Sequence, residues 1–180
     1  MIIEADRLLL HELTWDDLED IHHIHSFPEV DEFNTLGIPK DLDETREVIR
    51  EGIEKKDDPK RGAIHWKIIL KETNAIIGLA GMFLSRDKFR LGEIYYKLIP
   101  EHWGRGYATE VSKALIKSGF KDLDLHKVEA GVAYENIGSI RVLEKSGMTR
   151  EGLRRKILPI RGEWKDGYLF AIVEDDPRDY

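Results

Sequence analysis

The stretch Pro100-Glu101-His102-Trp103-Gly104-Arg105-Gly106-Tyr107-Ala108-Thr109 decides how this chain is read. The extended pattern before it, Leu91 to Ile99, stops at the proline. Apolar residues then recur at helical spacing from Tyr107, through Val111, Ala114 and Leu115. A strand that enters a glycine-rich turn and leaves as a helix is a unit of an α/β protein. Glycines let a ligand approach the backbone, and the first N–H groups of a helix have no partner inside it. Such a turn attracts phosphate through those donors and the positive end of the helix dipole. The spacing is neither a Walker loop nor the three-glycine dinucleotide fingerprint. On these residues alone, a phosphate cradle and a plain structural turn both stand.

Outward from the turn, the rest of the chain falls into one domain, residues 1–180. Arg7 to Glu12 reads as a first strand. Thr14 to Asp17 reads as a capping box before a helix that carries Leu18, Ile21, His22 and His25 on one side. A second helix starts near Asp41, with Glu44 three residues on, and runs through Val48, Ile49 and Ile53. The runs Ile64–Leu70 and Ile76–Leu84 bracket Glu72-Thr73-Asn74-Ala75 as a hairpin. After the central helix, about Tyr107 to Phe120, come a strand (Lys127 to Val132) and a helix (Ile137 to Ser146) that Gly147 ends. Two strands close the chain, and the last, Trp164 to Val173, is apolar on both faces and is expected to be central. The fold class is therefore α/β: a mixed, mostly antiparallel sheet of about seven strands with helices on both faces. The charged stretch Lys55 to Gly62 is a loop inside that domain.

Composition narrows the function. The 180 residues hold 28 Lys plus Arg against 35 Asp plus Glu, a net charge of −7, and no cysteine. The missing cysteine excludes disulfides, thiolate metal sites and cysteine nucleophiles. The acidic balance argues against nucleic acid as a partner, which needs a basic face. No run approaches the length of a membrane span, and the first residues lack the form of a signal peptide. A cytoplasmic protein with no membrane partner is expected.

A second segment, Asn136-Ile137-Gly138-Ser139-Ile140-Arg141-Val142-Leu143-Glu144-Lys145-Ser146-Gly147, joins the first. By its position Asn136 is a helix N-cap and Ser139 a first-turn residue. Together the segments resemble the GNAT superfamily of acetyl-CoA-dependent N-acetyltransferases, and more narrowly its subfamily that acetylates the N-termini of ribosomal proteins. Arg7-Leu8-x-Leu10 before Leu13-Thr14-x-x-Asp17 is similar too, as is Gly152-Leu153-x-Arg155 before Gly162-Glu163-Trp164-x-Asp166. The resemblance covers nearly the whole chain.

The resemblance implies roles. The pyrophosphate of acetyl-CoA would lie on the N–H groups of Gly104, Arg105, Gly106, Tyr107, Ala108 and Thr109. The pantetheine arm would pair with main chain near Leu98 and Ile99 and meet Asn136. Trp103 stands where the wider family has Gln or Arg, a replacement usual in this subfamily. Ser139 would lie near the thiol, and Arg141 and Lys145 are further cofactor contacts. Acetyl-CoA serves as cosubstrate, and no metal is implied.

Attack on a thioester needs a neutral amine, a stabilised oxyanion and a protonated leaving thiolate. Ser139 is the candidate donor to sulfur. Glu93, a carboxylate in an otherwise largely apolar strand, is the candidate base, acting through water as its relatives do, or else a structural carboxylate. His22, His23 and His25 lack the spacing of a zinc face and read as a helix face. Trp15, Trp66 and Trp164 read as core aromatics. Asp31, Glu32, Asp41, Asp43 and Glu44 read as a solvated face, or as an attraction for a cationic acceptor. The expected function is acetyl transfer from acetyl-CoA to a primary amine, foremost a protein N-terminal α-amino group, by a monomer or homodimer. The alternatives are a polyamine or amine-antibiotic acetyltransferase and a non-catalytic acyl-CoA-binding module.

Overall fold

The computed structural model describes residues 1–85 and 87–180. Its strands are β1 (Ile2–Glu4), β2 (Leu8–Glu12), β3 (Ala63–Leu70), β4 (Ala75–Leu84), β5 (Leu91–Leu98), β6 (Lys127–Ala133), β7 (Thr149–Ile160) and β8 (Glu163–Val173). They form one sheet in the order β1-β2-β3-β4-β5-β6-β8-β7. The helices are α1 (Leu18–His25), α2 (Pro28–Asp31), α3 (Leu42–Glu54), α4 (Tyr107–Lys121) and α5 (Ile137–Lys145). The fold is mixed α/β and mostly antiparallel, as expected, with β1 as an eighth strand at the edge.

Each face of the sheet has its own core. Ile94 and Leu98 of β5 join Val111, Leu115, Leu143 and Phe170 on the face that α4 and α5 cover. Leu79 of β4 packs on the other face with Leu18, Ile21 and Ile24 of α1 and Ile49 of α3. The helix ends follow the side-chain signals. Asp41 accepts from the Glu44 N–H at 2.9 Å, and Asn136 accepts from the Ser139 N–H at 3.0 Å. Gly147 closes α5 at φ +81°, where a side chain would be strained.

One feature of the register makes the site. β5 and β6 run parallel and pair only at Leu91–Lys127, Gly92–Val128 and Glu93–Glu129. Beyond Glu93 the two strands splay apart.

Three expectations are corrected. The last strand is not central but penultimate, between β6 and β7, and Trp164 is 59% exposed. It stands beside the β7–β8 turn, and burial along β8 begins only near Gly167. The strand expected over Arg7 to Glu12 is β2 and starts at Leu8, which leaves Arg7 for the glycine turn described below. A 3-10 turn (Trp15–Asp17) precedes α1. There Asp17 accepts from Thr14 N–H at 2.9 Å and Thr14 Oγ1 at 3.1 Å, and it meets Lys67 Nζ at 2.6 Å. Of the other tryptophans, Trp66 is fully buried, while Trp15 is half-buried under the Arg46 guanidinium.

Candidate active site

A cavity of about 640 Å³ runs from the glycine turn along the splay. Its walls include Leu98, Trp103, Gly104, Gly106, Tyr107, Ala108, Thr109, Asn136, Ser139, Arg141 and Lys145. Arg105 and Ile99 do not line it. Gly104 and Gly106 both have positive φ, +74° and +81°, a left-handed turn that glycine adopts without strain just before α4 opens. A Cβ on Gly104 would meet nothing, and one on Gly106 only Arg7 Nη2 at 3.5 Å. The space over the turn is open for a ligand.

Arg7 holds that turn from behind. Its main-chain N–H donates to Glu110 Oε1 at 2.6 Å and its Nε to Glu110 Oε2 at 2.8 Å. Its Nη1 donates to the Arg105 carbonyl at 3.1 Å, and the guanidinium lies 4.5 Å over the Tyr107 ring. With N–H donors at the start of α4 and the cations Arg141 and Lys145 on the wall, the cavity fits the phosphates of a coenzyme A.

The strand register sets which backbone groups face the splay. Ile99 N–H donates to Ile77 O, and Ser85 N–H to Leu91 O. In the unbroken β4–β5 ladder, the odd residues of β5 therefore bond to β4, and Ile94, Tyr96 and Leu98 turn their main chain to the opening. Of the expected pair, Leu98 presents main chain to the cavity and Ile99 does not. The Leu98 carbonyl is taken by Trp103 Nε1 at 2.7 Å, which fixes the indole on the cavity wall. Across the gap, Tyr134 N–H donates to Asp166 O, so the even residues of β6 bond to β8 and Gly131 and Ala133 face the splay.

A second cavity of about 250 Å³ opens on the far side of the splay. Val30, Phe33, Tyr96, Lys97, Asn136 and Ser139 line both, so the two spaces meet there. The Tyr96 hydroxyl is 2.8 Å from Ser139 Oγ. Burial pushes the Tyr96 phenol well above its ordinary value, so it stays a proton donor. Lys97 Nζ lies 3.5 Å from His25 Nε2. Burial brings Lys97 down to about 8, against the opposing pull of Asp31, and brings His25 down to about 3.

Glu93 is exposed and lines none of these cavities; a Cβ on Gly131 would lie 3.4 Å from its Oε1. Asp31, expected on a solvated face, is buried at 6% exposure, with Oδ2 3.7 Å from Arg161 and Oδ1 without a hydrogen-bond partner. The turn of α2 folds it inward against the β7–β8 hairpin. Glu32 remains exposed and lines the first cavity. The three histidines serve three neighbours: His22 meets Thr45 Oγ1 at 2.8 Å, His23 stacks edge-on with Phe27, and His25 meets Lys97. Tyr96 and Lys97 were not legible as site residues, although Lys97, like Glu93, is a charge in a largely apolar strand.

Comparison with known proteins gives the family. The family described as Acetyltransferase (GNAT) domain matches residues 7–149. The uncharacterized N-acetyltransferase YoaA of Bacillus subtilis is 34% identical over 173 residues, 96% of this chain and 97% of that protein. A GNAT-family acetyltransferase from Bacillus anthracis has the same fold at a TM-score of 0.84, with 31% identity over 97% of this chain and 99% of its own. A spermidine N-acetyltransferase from Vibrio cholerae, solved with CoA and spermine, shares the fold at a TM-score of 0.82 and 23% identity, over 94% and 97% of the two chains. This chain therefore belongs to the GNAT acetyltransferase family and is an acetyl-CoA-dependent N-acetyltransferase.

Proposed function

We propose that the acceptor is the α-amino group of a peptide N-terminus, which enters through the second cavity. The observation that carries this is the charge of that cavity. Among the described residues its walls hold no carboxylate, and Lys97 is its one charged side chain. A polyamine brings several ammonium groups and would sit there unpaired beside another cation, at a cost in desolvation. A peptide brings one amine, followed by neutral main chain. The unpaired main chain of Gly131 and the Ala133 N–H offer that chain a strand edge. Carboxylates stand outside that cavity: Glu29, Glu32 and Glu135 line the first, and Glu32, Glu135 and Glu163 share a third of about 350 Å³ with Arg161 and Lys165.

Bound acetyl-CoA supplies the acetyl group as a thioester. The chain does the rest. The N–H groups of the glycine turn hold the pyrophosphate, and the main chain of Leu98 and Tyr96 guides the arm toward the meeting point of the cavities. A main-chain N–H of β5 that faces the splay donates to the developing oxyanion. The Tyr96–Ser139 hydroxyl pair stands ready to donate to the leaving sulfur. An α-amine, with a pKa of ~7.7–8.0, is partly neutral at pH 7, whereas an alkyl amine near ~10.4 is hardly so.

The test is a pair of reactions with acetyl-CoA, one with a lysine-free peptide bearing a free N-terminus and one with spermidine. Free-thiol release and mass spectrometry read both. Acetylation of the peptide at its first residue is expected. Turnover of spermidine alone would refute the acceptor assignment.

A further inference from the structure

We propose that Lys97 is the base that takes the proton from the acceptor ammonium, a role that rests on the acceptor cavity assigned above. Among the side chains that line both cavities, Lys97 alone has a nitrogen that can accept a proton and give it up near neutral pH. It projects from β5 on the α1 side, opposite the Tyr96 hydroxyl, because alternate residues of a strand face opposite ways. Donor and acceptor of protons thus flank the place where amine and thioester meet.

The surroundings suit a proton that comes and goes. From α1, His25 offers Nε2 at 3.5 Å; burial keeps that ring neutral, so it accepts a hydrogen bond from the ammonium without taking its proton. His22 lies behind it on the same helix. From α2, the buried Asp31 supplies the charge that steadies the ammonium once formed, and one of its oxygens has no partner. Arg161 of the β7–β8 turn faces Asp31 from the far side. From β3 and β5, His65 and Tyr95 are hydrogen-bonded to each other at 2.7 Å, and burial keeps both neutral. From α5, Ser139 and the N-cap Asn136 line both cavities and are neutral, while the cations Arg141 and Lys145 line the first, where Glu29 and Glu32 of the α2 segment also stand. The resulting lysine, near pH 8, is matched to an α-amine, so transfer between them is nearly isoenergetic. Glu93, by contrast, would have to act past Gly131 through water.

The protons balance. Neutral Lys97 accepts one proton from the acceptor ammonium and becomes an ammonium. The freed amine lone pair forms the C–N bond at the thioester carbonyl, and the C–S bond breaks with its electron pair on sulfur. The second amine proton passes through the Tyr96–Ser139 hydroxyls to that sulfur. Lys97 then returns its proton to water.

The pH profile of kcat/KM for wild type, Lys97→Met and Lys97→Arg tests this, with a lysine-free peptide and with a plain primary amine as acceptors. Both variants should lose turnover by about 10²-fold near pH 7 and recover as pH rises, since solvent must deprotonate the amine. Arginine keeps the positive charge but cannot give up its proton, so it separates a base from a merely structural cation. Wild-type turnover in Lys97→Arg, or an alkaline shift in Glu93→Gln with none in Lys97→Met, would overturn the assignment. Competitive labelling of wild-type lysines, read by mass spectrometry, needs no variant. A Lys97 midpoint near 8 is expected; one at the ordinary lysine value of ~10.4 contradicts the proposal. If the plain amine shows the Lys97 dependence while the peptide is inert, the acceptor assignment fails and the base stands.

Discussion

Arg7 and Glu110 stand 103 residues apart in the chain and close on each other at 2.6 and 2.8 Å behind the glycine turn. The same guanidinium reaches the Arg105 carbonyl. The conformation of the phosphate cradle is therefore set from the first turn of the sheet, not by the glycines alone. Arg7→Met should raise the dissociation constant of CoA roughly tenfold, equivalent to about 1.4 kcal/mol, by releasing the turn. Calorimetry checks it. Unchanged affinity would show that the turn holds itself.

Gly106 is the stricter position. At φ +81° a β-branched residue is strained, and its branches would intrude on a wall of the cradle. Gly106→Val should weaken CoA binding by about tenfold or more in a protein that still unfolds cooperatively. Dephospho analogues of CoA should also bind more weakly to wild type. A folded Gly106→Val protein with wild-type affinity would exclude the turn as the phosphate site.

Tyr96→Phe and Ser139→Ala remove one hydroxyl each from the 2.8 Å pair. Each should cut turnover by about 10-fold or more while leaving CoA affinity nearly intact, because the turn is untouched. Asn136→Ala is different in kind. It removes the N-cap of α5 and should cost about 1 kcal/mol of stability as well as cofactor affinity. Wild-type turnover in both hydroxyl variants would leave Tyr96 and Ser139 as packing residues.

Stability should fall as the solution is acidified. Burial holds His25 at about 3 and His65 at about 4, against 6.5 when unfolded. Below about pH 6.5 the unfolded chain takes up protons that the folded chain refuses, so folding weakens as pH drops toward 4. Each histidine contributes a slope of up to about 1.4 kcal/mol per pH unit. Between about pH 6.5 and 5, above the carboxylate range, the melting temperature of wild type should drop, and His65→Phe should drop less. Equal slopes would mean that His65 is protonated inside the fold.

What the sequence told, and what it withheld, follows from the range of each interaction. The turn at Gly104–Thr109, the cap at Asn136 and the stop at Gly147 are local devices that a few adjacent residues specify, and they were legible. β1 escaped notice because three residues at a sheet edge carry too short a pattern. Trp164 reads as a core aromatic yet is exposed, because hydrophobicity says nothing of where a strand runs past its cover. Asp31 looked like one of many surface acids until α2 turned it inward. Tyr96 and Lys97 depend on the splay of β5 from β6, a parallel pairing of residues 36 apart in the chain that no local pattern encodes. The one hint was a lysine in a largely apolar strand, the same signal that drew attention to Glu93.

In the proposed reaction a CoA-borne acetyl group meets an α-amine where the two cavities join. The most direct test is mass spectrometry of a peptide that carries both a free N-terminus and an internal lysine, reacted with acetyl-CoA and enzyme near pH 7. A single acetyl group on the α-nitrogen, with stoichiometric release of free thiol, is the expected result. Acetyl found on the lysine ε-nitrogen, or no thiol released with the peptide while a parallel reaction with spermidine releases thiol and yields acetylspermidine, would contradict it.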